Sequence, residues 1–162
     1  MEVRSIETIV NALNDAHVHY LIVGGLAVNA HGFARTTRDV DIVLQLEPSN
    51  AGKGLDALLQ AGWQMAVPET PAAFADPLKR ESWRTEKKMI VLKLWSESHR
   101  RTPIGIFIYE PFDFQRELPR ALRVEVGPGI TAPFVSLETL LQMKRDAGRP
   151  QDLVDIEELT RI

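Results

Sequence analysis

The sequence predicts one α/β domain of the α+β kind over residues 1–162, with a mixed central sheet and helices packed against it. Three observations predict it. An apolar run, Tyr20–Val23, stops at Gly24-Gly25, passes through a short helix-like segment and resumes as an aliphatic, β-branched run over residues 40–46. Two further apolar runs, residues 89–95 and 103–109, face each other across a short polar turn and read as a hairpin. The elements do not alternate regularly as strand and helix, which favours a mixed or antiparallel sheet over a purely parallel one. With 162 residues the chain is long enough to bury a sizeable core as one domain.

Taken in order, Val3, Ile6, Ile9, Val10 and Leu13 share one face of a first helix. The strand Tyr20–Val23 follows, and after the glycine pair residues 26–31 read as a short helix. Beyond the second strand, Pro48-Ser49-Asn50 offers caps for a helix running to about Leu59. Residues 63–67 suit a short strand, and residues 68–77, rich in Pro and Ala, suit a loop. Pro111-Phe112-Asp113-Phe114 closes the hairpin. Two short strands, residues 122–126 and 130–134, flank the turn signal Gly127-Pro128-Gly129. Ser136 caps a helix carrying Leu137, Leu140, Leu141 and Lys144, which Gly148 ends. Pro150 opens a last helix to about Leu159.

Composition narrows the functional classes. A net charge of −3 gives no global field toward nucleic acid or an acidic membrane. Residues 76–101 are locally basic, with eight Lys or Arg against four Asp or Glu, but a charge run of this kind is usually a solvated face. Without cysteine there is neither a disulfide framework nor a thiolate metal site. No apolar run approaches the ~20 residues that span a bilayer. Met1-Glu2-Val3-Arg4 lacks the apolar segment of a signal peptide, so a cytoplasmic protein with no membrane partner is the expectation.

The chemistry concentrates in residues 20–46. Side chains alternate across a strand, so Asp39 and Asp41 point to the same face. Two adjacent carboxylates repel unless a positive group lies between them. Mg²⁺ is such a group; it keeps waters and binds through one or two carboxylates plus phosphates. A glycine pair lets the backbone approach a phosphate closely, and the start of the following helix presents N–H groups to it. Gly24 and Gly25 are therefore candidate phosphate binders, and Asp39 and Asp41 candidate metal ligands. Arg35 and Arg38 flank the acidic pair, as phosphate clamps or as charge compensation. Lys144 and Arg145 lie late in their helix, where cations complement the macrodipole; Lys144 could instead reach nucleotide phosphates. Arg149, Asp152 and Asp155 read as a local ion-pair set docking the last helix.

Gly24-Gly25, thirteen intervening residues and then Asp39-Val40-Asp41 resemble the signature of the nucleotidyltransferase superfamily related to DNA polymerase β. More narrowly, Gly24-Gly25-Leu26-Ala27-Val28, His31-Gly32 and the run from Arg35 to Asp41 are similar to small bacterial nucleotidyltransferase-like proteins, some of them from type IV toxin–antitoxin systems. The segment from Met143 to Ile156 resembles that group's closing segment. The resemblance implies a nucleotidyltransferase fold and Mg²⁺-dependent transfer of a nucleoside monophosphate, from a nucleoside triphosphate to a protein, RNA or small-molecule acceptor. It implies one or two Mg²⁺ ions on Asp39 and Asp41, which are then the catalytic residues. Triphosphate would lie on Gly24 and Gly25, with Arg38 and Lys144 as further phosphate contacts. A toxin–antitoxin role would add a partner protein. The pattern is incomplete at one place. Such enzymes carry a third carboxylate on a later strand, and here that position falls on Gly105, which leaves Glu110, Asp113 or the acceptor itself to supply a base. A catalytically impaired nucleotide- or partner-binding member is the alternative expectation.

Overall fold

The structure, a computed structural model, describes residues 1–162. Seven strands form one sheet: β1 (Tyr20–Val23), β2 (Val40–Leu44), β3 (Gln64–Met65), β4 (Val91–Trp95), β5 (Ile104–Phe107), β6 (Leu122–Gly127) and β7 (Ile130–Phe134). Their order across the sheet is β3-β4-β5-β2-β1-β7-β6. The pairs β1–β2, β3–β4, β4–β5 and β6–β7 are antiparallel, whereas β2–β5 and β1–β7 are parallel. The sheet is mixed, as the order of elements predicts, and the predicted hairpin forms as β4–β5.

Eight helices complete the fold: α1 (Val3–Asp15), α2 (Gly24–Ala30), α3 (Pro48–Gln60), α4 (Pro71–Ala75), α5 (Pro77–Glu86), α6 (Phe114–Glu117), α7 (Leu137–Ala147) and α8 (Pro150–Arg161). The stripe predicted for α1 buries Ile9, Val10 and Leu13, while Val3 at its start stays exposed. α3 covers the face of β2 that carries Ile42 and Leu44, because Gly54 brings the helix backbone against the Leu44 side chain. That leaves the opposite face of β2 to Asp41. No helix is long and apolar enough to cross a membrane.

Two stretches expected to be irregular are helical. The loop expected over residues 68–77 contains α4 and the start of α5, and Asp113 opens α6 instead of merely closing the hairpin. The reason is capping. Thr70 accepts from the Ala73 N–H, Asp76 from the Leu78 N–H and Asp113 from the Arg116 N–H, and Pro71 and Pro77 stand where a first turn needs no N–H. In α3 the cap is Glu47, which accepts from the Ser49 and Asn50 N–H groups. Asn50 is buried and instead joins the His19 and Gln45 backbone segments. Trp63 and Trp83 are core residues; Trp95 is 43% exposed.

Candidate active site

β2 is the middle strand of the sheet and holds Asp41, with Asp39 just before it. Asp41 pairs with Val23 on one side and with Gly105 on the other. Gly24 follows Val23 directly and opens α2. Its φ of +68° lies in the left-handed region. A Cβ there would sit 2.4 Å from Asp41 Oδ2. The first glycine is thus required twice, for the turn and for room beside the carboxylate. Gly25 serves differently: a Cβ on it would meet Thr37 Oγ1 at 2.3 Å, so it lets the approach to β2 pack on α2. No side chain caps the first turn of α2.

Burial raises the Asp41 carboxyl from 3.8 to about 6, and the neighbouring Asp39 adds to the rise, against the pull of Lys93, Lys144 and Arg149. Asp41 is a charge held in an unfavourable place, the condition that a bound cation relieves.

The resemblance puts the third carboxylate at position 105, and the register shows what stands beside that position. Gly105 is the direct neighbour of Asp41 across β2–β5, and a Cβ on Gly105 would stand 2.8 Å from Asp41 Oδ1. Neither proposed substitute for it reaches the site. Glu110 accepts from the Leu46 N–H at the far end of β2, and Asp113 is spent capping α6. No group of three or more His, Asp or Glu side chains gathers anywhere to hold a metal ion. Two carboxylates beside a bare glycine suit one hard cation that also binds phosphate, since Mg²⁺ takes one or two protein carboxylates in such sites. They offer no third ligand for a second ion.

Lys144, one of the expected phosphate contacts, is engaged by two carboxylates. It is 6% exposed, and its Nζ lies 3.0 Å from Asp152 Oδ1 and 2.9 Å from Asp155 Oδ2. Arg35 grips Asp155 with two bonds of 2.7 and 2.8 Å, and Arg149 binds Asp152 at 2.7 Å. Burial alone would raise Asp155, but hydrogen bonds from Arg35, Lys144 and Gln151 more than offset it and hold the group below the ordinary range. The predicted ion-pair set is real and larger than expected, since it ties α7 and α8 to the segment before β2. Three cations share two carboxylates, and the surplus positive charge is felt at Asp41. Arg38 is exposed. His31 bonds the Val135 carbonyl through Nε2 at 2.7 Å, a structural role.

Sequence reasoning missed Lys93. On β4 it pairs with Gly105, so Asp41, Gly105 and Lys93 form one row across three strands. Its Nζ lies 3.7 Å from Asp39 Oδ2. The alternation of Val91, Lys93 and Trp95 with buried Leu92 and Leu94 places Lys93 on an open face; only the register brings it to the acidic pair.

No protein-family model matches the chain, and no curated protein matches it in sequence. Solved structures do match. A lincosamide antibiotic adenylyltransferase bound to lincomycin aligns over 97% of this chain and 95% of its own, with a TM-score of 0.64 and 16% identity. The chain has the nucleotidyltransferase fold. ANT(2″)-Ia in complex with adenylyl-2″-tobramycin aligns over 97% of this chain and 86% of its own, with a TM-score of 0.59 and 13% identity. An antigenic nucleotidyltransferase-like protein from Paracoccidioides brasiliensis aligns over 98% and 75%, with a TM-score of 0.56 and 20% identity. The nucleotidyltransferase fold thus accounts for almost the whole chain.

Proposed function

We propose that this protein binds a nucleoside triphosphate with Mg²⁺ and transfers its nucleoside monophosphate to the hydroxyl of a small molecule. The observation that carries the reading is the close seat of Asp41 Oδ2 beside the bare Cα of Gly24, which joins the phosphate-binding turn to the carboxylate pair. The glycine turn would hold the triphosphate by its backbone. Asp39 and Asp41 would hold one Mg²⁺, which neutralises charge on the phosphates during displacement. In the transfer, a bond forms between the acceptor oxygen and the α-phosphorus, the bond to pyrophosphate breaks, and the hydroxyl proton is released to water. A small-molecule acceptor is favoured because two neighbours of the same fold are an antibiotic adenylyltransferase with lincomycin and a complex with an adenylylated tobramycin. An acceptor would lie on the face of β4 where Lys93 and Trp95 are exposed, beside Asp39.

A specific observation favours a second reading, a nucleotide-binding member of impaired catalysis that acts through a partner protein, as in a toxin–antitoxin pair. Gly105, the position that the resemblance gives to a third carboxylate, lies beside Asp41 with no side chain to offer.

Calorimetry with Mg²⁺ and ATP, GTP, CTP or UTP tests both readings. Heat with at least one nucleotide is expected from the wild type and none from Asp39→Ala plus Asp41→Ala. Silence with all four refutes nucleotide binding. Label from an α-labelled triphosphate appearing on small molecules of a cell extract supports transfer; binding without any transferred label selects the second reading.

A further inference from the structure

The carboxylate pair already has a cation. Lys93 and Asp41 belong to β4 and β2, with β5 between them, so their backbones are roughly two inter-strand spacings, about 9.5 Å, apart. Lys93 Nζ nevertheless lies 3.7 Å from Asp39 Oδ2. The lysine must run over β5 to get there, and the residue of β5 in its row is Gly105. Any side chain at 105 would rise from the same face, its Cβ 2.8 Å from Asp41 Oδ1, in the row that Lys93 and Asp41 share. The bare Gly105 and the reaching lysine thus stand side by side in one row with Asp41.

We propose that Lys93 is the resident counter-ion of the acidic pair, holding the Asp39 side of the site so that the pair takes one divalent ion, weakly, until a nucleotide brings its phosphates. The inference rests on the reading of Asp39 and Asp41 as an ion site, and it makes Lys93 a positioning residue. The lysine is 60% exposed and Asp39 is 37% exposed. An ion pair so open adds little to stability, which leaves its charge as its main effect. In surroundings as polar as water, a unit charge about 5 Å from a bound divalent ion changes that ion's affinity by roughly ten- to twentyfold.

The test is Mn²⁺ binding to the nucleotide-free protein, read by the loss of free-ion signal in electron paramagnetic resonance. Lys93→Met should bind Mn²⁺ about tenfold more tightly than wild type, while Lys93→Arg, which keeps the charge, stays within twofold. Asp39→Asn should abolish the gain when combined with Lys93→Met. Thermal unfolding of each variant checks that it is folded, and Lys93→Gln repeats the measurement should the Met variant unfold. Equal affinity in wild type and Lys93→Met overturns the proposal, as does a gain of the same size in Lys93→Arg. This outcome is independent of catalysis. Transfer with no effect of Lys93→Met leaves the function standing and removes this inference; a tighter Mn²⁺ site without transfer does the reverse.

Discussion

Replacing Asp41 by Asn should stabilise the protein at neutral pH. Burial and the neighbouring Asp39 raise the Asp41 carboxyl from 3.8 to about 6. The folded state therefore binds a proton that the unfolded chain releases between those two values, and stability falls as pH rises through that window. At 1.36 kcal/mol per unit the ionised group costs the folded state about 3 kcal/mol above pH 6, and partial contact with solvent reduces this to about 1–3 kcal/mol. Asparagine keeps the shape and removes the titration. The melting temperature of Asp41→Asn, measured against wild type in chelator by circular dichroism from pH 4 to 8, should gain roughly 3–10 °C between the two ends. The gain should develop between pH 4 and 6 and then level off. A difference that is flat with pH, or that favours wild type as pH rises, refutes the assignment of Asp41 as a strained carboxylate.

Three further outcomes follow from the same geometry. Gly24→Ala places a side chain at φ +68° against Asp41; it should cost about 1–2 kcal/mol in denaturant unfolding and abolish the calorimetric heat with Mg²⁺ and nucleotide. Gly105→Asp restores a third carboxylate beside Asp41 and should tighten Mn²⁺ binding about tenfold or more; weaker binding would mean that residue 105 is not the third-ligand position. Lys144→Met strips the cation shared by Asp152 and Asp155; it should destabilise the fold by about 3 kcal/mol at pH 7, with the loss shrinking only below about pH 4, since both carboxylates are held below their ordinary range and protonate there.

The parts legible in the sequence were those governed by local rules. The glycine pair and the two aspartates stand where the spacing puts them, because strand alternation and a turn needing φ > 0 are properties of a few consecutive residues. Gly105 was singled out by the resemblance alone, and only the pairing of β5 with β2 sets it beside Asp41. The helices over residues 71–86 were hidden because Pro and Ala suggest a loop, whereas Thr70 and Asp76 convert each proline into a helix start. The fate of Lys144 depended on Asp155 and Arg35, the latter 109 positions earlier in the chain than Lys144. No local rule carries that distance, so dipole and phosphate readings stayed equally open. Lys93 was hidden by register: alternation gives a residue its face, but only the pairing of β4 with β5 and of β5 with β2 says which residue it stands beside.

The strand order has a consequence for motion. β2 has three strands on either side, while β4 is one strand from the edge and only the two-residue β3 shields it. Backbone amides of residues 40–44 should exchange with solvent only when the whole sheet opens, and those of residues 91–95 through smaller, more frequent openings. The acidic half of the site is thereby anchored in the slowest part of the molecule and the basic half in a faster one. An incoming ligand could displace the lysine without disturbing the carboxylates, so that recharging the cleft requires the rearrangement of one exposed side chain and leaves the sheet as it was.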